Sequence, residues 1–255
     1  MKLYADKPGA SIEMVVDAEF QERMFEVIRK EDIQLVFESG TYLGTGSTAT
    51  IADLFIKANK TPKRFITVEA NYNYFEKATK NLAKYKFIEP VFGISVDYVE
   101  AANFLLNDDI FDNLDNYKEA YIDHLTTPKH FYLQEIMVGV FQDRINLNKK
   151  SWLKRILKTN TVHPTFRNNV FSDFSNSING TSALIILDSA AGIGFYEFTQ
   201  VVKEMGNKEY ILVLDDIHHL KHFRSKEFIK ANKDKFELVG LNEELGWLIA
   251  KKQKS

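Results

Sequence analysis

The chain has no cysteine, which excludes disulfides and thiolate metal sites outright. Proline is scarce, five in 255 residues, and 45 % of residues are hydrophobic, so this is a folded globular protein and not a disordered one. It also lacks a large excess of either charge. The formal net charge of −2 argues against a surface given over to nucleic acid. No apolar run approaches transmembrane length. Met1 to Asp17 carries charges and a proline but no apolar stretch of the signal-peptide kind. Repeats and low-complexity tracts are missing as well. These absences lead to the expectation of a cytoplasmic α/β protein, long enough to bury a full-sized core in a single domain over 1–255.

What is present begins with Val36-Phe37-Glu38-Ser39-Gly40-Thr41-Tyr42-Leu43-Gly44-Thr45-Gly46. A buried strand, Ile33 to Phe37, runs into an acid and three glycines. A helical pattern follows, with Ile51, Leu54, Phe55 and Ala58 at i, i+3, i+4 and i+7. Strand, glycine-rich turn and helix let backbone come close to a ligand, because glycine has no Cβ to hold it off. The spacing E-x-G-x-x-x-G-x-G is neither the dinucleotide G-x-G-x-x-G nor a P-loop, since no Lys-Ser/Thr pair closes it.

Apolar runs of strand length alternate with helical patterns along most of the chain. Arg64 to Val68, Ile88 to Phe92, Ala183 to Leu187 and Tyr210 to Leu214 read as further strands; Tyr72 to Tyr85 and Phe195 to Met205 read as helices. Apolar, non-alternating strands of this kind belong to a parallel sheet covered on both faces. The last two strands, Phe236 to Leu241 and Trp247 to Ala250, are separated by only Asn242 to Gly246. That gap cannot hold a crossover helix, so the pair is an antiparallel hairpin. The expected architecture is a doubly wound, mainly parallel seven-stranded sheet ending in an antiparallel hairpin. A large insertion, 101–180, lies between the third and fourth strands. Within it Arg144 to Val170 has seven Lys/Arg and no acid around Trp152, and Thr159 to Gly180 reads as a long loop. The basic segment fits a solvated helix face, an anionic acceptor such as a nucleotide sugar, or a membrane surface. It lacks the interleaved aromatics of a nucleic-acid platform. The insertion fits a lid or a homo-oligomer contact.

Ligands of open α/β sheets bind outside the carboxyl ends of the strands. The first strand ends in Glu38, the second in Glu69, the fourth in Asp188 and the fifth in Asp215-Asp216. One acid could merely cap the next helix; four strands doing so bring carboxylates to one rim, where they repel unless a cation or donors lie among them. Glu69 stands where an acid can accept from both hydroxyls of a ribose. Asp188, Asp215 and Asp216 offer three carboxylates to a hard cation such as Mg²⁺. Asp216, His218 and His222 could alternatively form a two-His, one-carboxylate site, the donor set of an oxygenase. His219, His222 and Arg224 otherwise read as solvent-facing residues of a helix start.

The turn, the sheet outline and the strand-end acids resemble the class I S-adenosylmethionine-dependent methyltransferases, over roughly residues 30–100 and 180–251. The Asp pair resembles the metal-dependent sugar O-methyltransferases of the macrocin/mycinamicin type. The resemblance implies a Rossmann-like methyltransferase that carries a methyl from S-adenosylmethionine to a hydroxyl of a small-molecule or glycan acceptor. By the same resemblance Gly40, Thr41, Gly44 and Gly46 form the cofactor turn, with Glu38 at the methionine end, Glu69 at the ribose and Asp188 beside the cofactor. Gly93-Ile94-Ser95 matches the adenine-side turn; many members have an acid where Ile94 stands, which leaves adenine to backbone groups, Ser95 or Asp97. Asp188, Asp215 and Asp216 match the Mg²⁺ ligands, and His218 matches the general base of one branch. Another branch places an Asp base where this chain has Ala190. A non-catalytic protein of the same fold is the alternative class; its mark would be loss of the strand-end acids, which are intact.

Overall fold

The computed structural model describes residues 1–7, 14–136, 164–178, 180, 182–189 and 191–254. The basic segment around Trp152 falls largely outside them. Seven strands form the main sheet: β2 (Ile33–Ser39), β3 (Arg64–Glu69), β4 (Ile88–Phe92), β6 (Ser182–Leu187), β7 (Tyr210–Leu214), β8 (Phe236–Asn242) and β9 (Trp247–Lys252). A two-residue β1 (Lys2–Leu3) pairs in parallel with β5 (Tyr121–Ile122) beside it. The helices are α1 (Ala18–Lys30), α2 (Ser47–Lys57), α3 (Tyr72–Asn81), α4 (Tyr98–Asn107), α5 (described over 128–136), α6 (Val170–Ser177), α7 (Gly194–Met205) and α8 (Phe223–Ala231). None among the described residues is long and apolar enough to cross a membrane.

The order across the main sheet is β4-β3-β2-β6-β7-β9-β8. The pairings from β4 through β7 are parallel, and β9 pairs antiparallel with both β7 and β8. The expected hairpin is therefore present, with its second strand tucked inside the first. The chain order reverses between β2 and β6, which makes the crevice at their carboxyl ends the topological switch point.

Alternate residues of each central strand enter opposite layers of core. Phe37, Ile185 and Leu212 meet Phe171, Phe174 and Phe198 on one face. Val36, Leu184, Ile186 and Val213 meet Phe20, Met24, Ile51, Phe55 and Trp247 on the other. This double burial is why the strands read as unbroken apolar runs. Side-chain caps start the helices: Asp17 accepts from Glu19 N, Asn71 from Asn73 and Tyr74 N, and Asp97 from Val99 and Glu100 N. Asp97, considered for adenine, is the N-cap of α4, and its other oxygen accepts from Asn168 Nδ2 at 2.7 Å.

Among its described residues, 164–178 and 180, the stretch expected as a long loop contains a helix. Its Ser/Asn-rich part forms α6, because Val170, Phe171 and Phe174 close the core over Phe37. The described part of the insertion packs above the strand ends through Ile94, Ile110, Ile122, Tyr132, Ile136 and Ile193.

Candidate active site

The glycine turn after β2 is held mainly by the protein itself. The Gly40 and Thr41 amides both donate to Val68 O, at 3.0 and 3.1 Å, and the Tyr42 amide donates to Glu69 Oε2 at 2.7 Å. At Gly40, where φ is +90°, an added Cβ would lie 2.0 Å from Asp188 O; at Gly44 (φ +70°) it would lie 2.8 Å from Leu82 Cγ. These two glycines therefore admit neighbouring protein, a strand end and a helix, before any ligand. Gly46 is the N-cap of α2. Thr41 is buried, its hydroxyl 2.6 Å from that of Thr67.

Glu38 does not reach the rim. It is fully buried beneath the turn, where Thr48 and Thr67 donate to its Oε2 at 2.6 Å each. Burial pushes its carboxyl up to about 7, against the pull of the Ser47, Thr48 and Thr67 hydroxyls. It ties the start of α2 to β3 and lines neither cavity described below.

A cavity of about 460 Å³ opens over the β2, β3, β4 and β6 ends. Gly40, Tyr42, Glu69, Asn71 and Tyr74 form one side, Gly93 to Ser95 another, and Asp188, Ser189 and Ile193 the third, with Tyr132, Glu135 and Ile136 above. Glu69 accepts from the amides of Tyr42 and Asn71 at 2.7 Å each, which orients its carboxylate at the cavity wall. Tyr42 and Tyr74 meet edge to face at 4.6 Å. Beneath the floor lies a residue that sequence reasoning passed over, Glu197 of α7. The hydroxyls of Ser39, Ser95 and Ser189, three residues that line the cavity, all donate to its carboxylate. Burial pushes Glu197 up to about 7, opposed by these serines. Its position inside α7 looks like one more polar helix residue, and no spacing rule links it to three serines on separate strand ends. On the adenine side, the Gly93 and Ile94 amides are already donated to Glu69 O and Arg167 O. A Cβ on Gly93 would lie 2.2 Å from Arg167 O, so this glycine too serves a backbone approach.

A second cavity, about 370 Å³, shares Gly40, Tyr42 and Asp188 with the first and extends past Tyr4, Met14, Val15 and Ser47 to Asp215 and Asp216. Asp188, Asp215 and Asp216 do converge: one ligand atom from each lies within 4.8 Å of the others, and among the described residues they form the single such group of three. What the sequence reading missed is the cation already there. Lys221 Nζ stands 3.0 Å from Asp188 Oδ1 and 2.9 Å from Asp216 Oδ2, on a side chain 5 % exposed. Tyr4 donates its hydroxyl to Asp216 Oδ1. The Asp216 amide donates to Asp215 Oδ1 at 2.9 Å.

Electrostatics follow from this wiring. Burial works to raise Asp216, but Lys221 and the Tyr4 hydroxyl outweigh it and hold that carboxyl at about 2. Asp215 is pushed well above the carboxylate range by burial and then by the Asp188 and Asp216 charges. Asp188 is raised by burial, with Lys221 pulling against it. Lys221, which burial alone would deprotonate, is held charged by Asp216, Asp188 and Asp215. The seat is built for it. At Gly194 an added Cβ would meet Lys221 Cγ at 2.3 Å.

The histidines are placed differently from expectation. His218 turns away from the acids: its Nε2 contacts the Glu243 carbonyl oxygen in the β8–β9 turn, and the ring lines neither cavity. Burial lowers its pKa. His219 and His222 are not solvent-facing, at 2 % and 0 % exposure. His219 Nε2 lies 3.2 Å from Asp123 Oδ2, and His222 Nε2 donates to Leu187 O at 3.2 Å. Arg224 makes a bidentate pair with the buried Asp108. His218 and His222 thus do not join Asp216 in a ligand set, and the oxygenase arrangement is not formed.

Strand order, the reversed final strand and a ligand crevice at the switch point define the chain as a Rossmann-like protein with the class I methyltransferase fold. No family model matches the chain, and no curated protein matches it in sequence. Among solved structures it is similar to an O-methyltransferase from Bacillus cereus in complex with SAH, at 12 % identity over 93 % of this chain and 82 % of that one, with a TM-score of 0.47. It is similar also to the O-methyltransferase of tomaymycin synthesis from Streptomyces achromogenes in complex with SAM (14 % identity, 94 % and 81 % covered, TM-score 0.44). An rRNA methylase from Streptococcus thermophilus gives 11 % identity, 96 % and 99 % covered, and a TM-score of 0.42.

Proposed function

We propose that the chain is an S-adenosylmethionine-dependent O-methyltransferase acting on a hydroxyl of a small-molecule or glycan acceptor. The observation that carries this reading is the meeting of two cavities at Gly40, Tyr42 and Asp188, one lined by serines with Glu69 at its wall, the other lined by acids. The first suits the cofactor. Glu69, oriented at the cavity wall by the Tyr42 and Asn71 amides, stands where a carboxylate can accept from ribose hydroxyls. Gly40, Thr41, Gly44 and Gly46 shape the turn against the methionine end, and Ser95 offers an oxygen toward the adenine. The second cavity suits the acceptor.

S-adenosylmethionine supplies an electrophilic methyl: its S–CH₃ bond breaks as the acceptor oxygen forms O–CH₃, and the acceptor proton must leave. The chain's part is alignment and proton removal. With His218 turned away, Asp188 is the carboxylate that lines both cavities and takes the role of proton acceptor. The Mg²⁺ implied by the resemblance suits three carboxylates chemically, but it does not fit them as arranged, because Lys221 stands between Asp188 Oδ1 and Asp216 Oδ2 and Tyr4 takes the other Asp216 oxygen. No step is routed through it.

Calorimetry with S-adenosylhomocysteine tests the reading. One site per chain is expected, weakened at least about tenfold by Glu69→Ala and little changed by Asp215→Asn, which should instead lower turnover. A folded protein that takes up no S-adenosylhomocysteine would sink the proposal.

A further inference from the structure

A rim of three carboxylates beside a methyl-transfer junction invites a divalent cation, yet every one of these acids is already engaged from within the chain. Asp216 receives the Lys221 ammonium on Oδ2 and the Tyr4 hydroxyl on Oδ1. Asp188 receives Lys221 on Oδ1, and Asp215 accepts the Asp216 amide on its own Oδ1. An ammonium has three donors and no acceptor, and two of its directions are spent on the two flanking acids. A metal at this place would have to expel a buried ammonium and break the Tyr4 contact.

We propose that Lys221 is the resident cation of this site, standing where a divalent metal would otherwise bind, so that the protein works without one. Three further features belong to that role. The lysine's stem passes over Gly194, where a side chain would collide with both Lys221 Cγ and Lys221 O, at 2.3 and 2.9 Å. The backbone that carries it is pinned, because the Lys221 amide donates to His219 Nδ1 at 3.1 Å while the opposite edge of that ring faces Asp123. Tyr4 is delivered from the other side by the pairing of β1 with β5, whose Tyr121 in turn bonds to His218 O and Leu220 N. The ammonium is thus held between Asp188 and Asp216 by contacts made within the chain.

This inference concerns the site read above as the acceptor side of a methyltransferase, but its test needs neither cofactor nor acceptor. Mn²⁺ binding is followed by electron paramagnetic resonance on the full chain, wild type against Lys221→Met. The wild type should hold no stoichiometric Mn²⁺ at concentrations on the order of 1 mM, and its melting temperature should be the same in Mg²⁺ and in chelator. Lys221→Met should gain one Mn²⁺ site, at least about tenfold tighter than any wild-type binding, and lose it again when Asp216→Asn is added. One Mn²⁺ per wild-type chain, removed by Asp216→Asn, would overturn the proposal, as would a folded Lys221→Met that gains no site. If Lys221→Met does not fold, the wild-type titration and melting comparison decide alone: a Mg²⁺-dependent rise in melting temperature that Asp216→Asn abolishes refutes the resident cation.

Discussion

The two halves of the sheet bury acid in opposite ways. Beside the first cavity Glu38 and Glu197 are each surrounded by hydroxyls, and among the described residues neither forms an ion pair. On the other side Asp188, Asp215 and Asp216 crowd together around Lys221. A single carboxyl among neutral donors can take up a proton and lose its desolvation cost. Three carboxyls within reach of one another cannot all be relieved in that way, and a cation becomes part of the structure. The first solution gives a neutral floor suited to a cofactor of mixed polarity. The second gives a fixed field at the place where a methyl would change hands.

Breaking the ion-compensated half should have the largest effect. Lys221→Met leaves the cluster without its cation and is expected to cost about 3–5 kcal/mol in urea unfolding near neutral pH. Part of that loss should return on acidification, since protonated acids no longer need the lysine. Next comes the seat: Gly194→Ala, with its Cβ 2.3 Å from Lys221 Cγ, is expected to cost about 1–3 kcal/mol by overpacking. A smaller cost, or none, would mean that the stem moves aside freely.

The hydroxyl-compensated half should answer to pH instead. Glu197 is raised from 4.5 to about 7, so the folded state binds its proton more tightly than the unfolded chain does. That contribution to stability is complete below the unfolded value and is lost as the pH rises through about 7. Wild-type melting temperature should therefore fall across this interval more steeply than that of Glu197→Gln, which has nothing to titrate. Parallel curves would show that the serines hold an ordinary carboxylate. The smallest effect is reserved for His218→Ala. With the ring turned to the Glu243 carbonyl, S-adenosylhomocysteine affinity should not change, and stability should shift by no more than about 1 kcal/mol. A collapse of turnover with binding intact would return His218 to the role that the sequence pattern suggested.

Legibility in the sequence followed the range of the interactions. Tyr210–Leu214 has the ends read from its apolar run, because a doubly covered strand announces itself within five residues. The hairpin was legible because five residues cannot hold a crossover. Glu69, Asp188, Asp215 and Asp216 were legible because strand ends are local and the rim collects whatever stands there. By contrast α6 hid in a polar stretch whose Val170, Phe171 and Phe174 join a core cluster that includes the distant Phe37. Glu38 was read as a rim residue, although Thr48 and Thr67 hold it inside. The glycines of the turn were read as making room for a ligand, while Gly40 first makes room for the Asp188 carbonyl.

Lys221 marks the same boundary at the site itself. The sequence alone determined that acids would gather at the carboxyl ends of a mainly parallel sheet, since hydrophobic period and connection length decide where strands stop. It could not determine what would neutralise them. His218, Lys221 and Lys226 all follow the Asp pair closely, and each could swing toward it or away. Which one did was decided by the chain turning after Asp216, which adopts φ +54°, by the absence of a side chain at Gly194, and by Tyr4 arriving from the other end of the molecule. Those are contacts between segments far apart in sequence, and charge compensation in a buried cluster is settled by such contacts alone, because the energy of a charge pair depends on its separation in space.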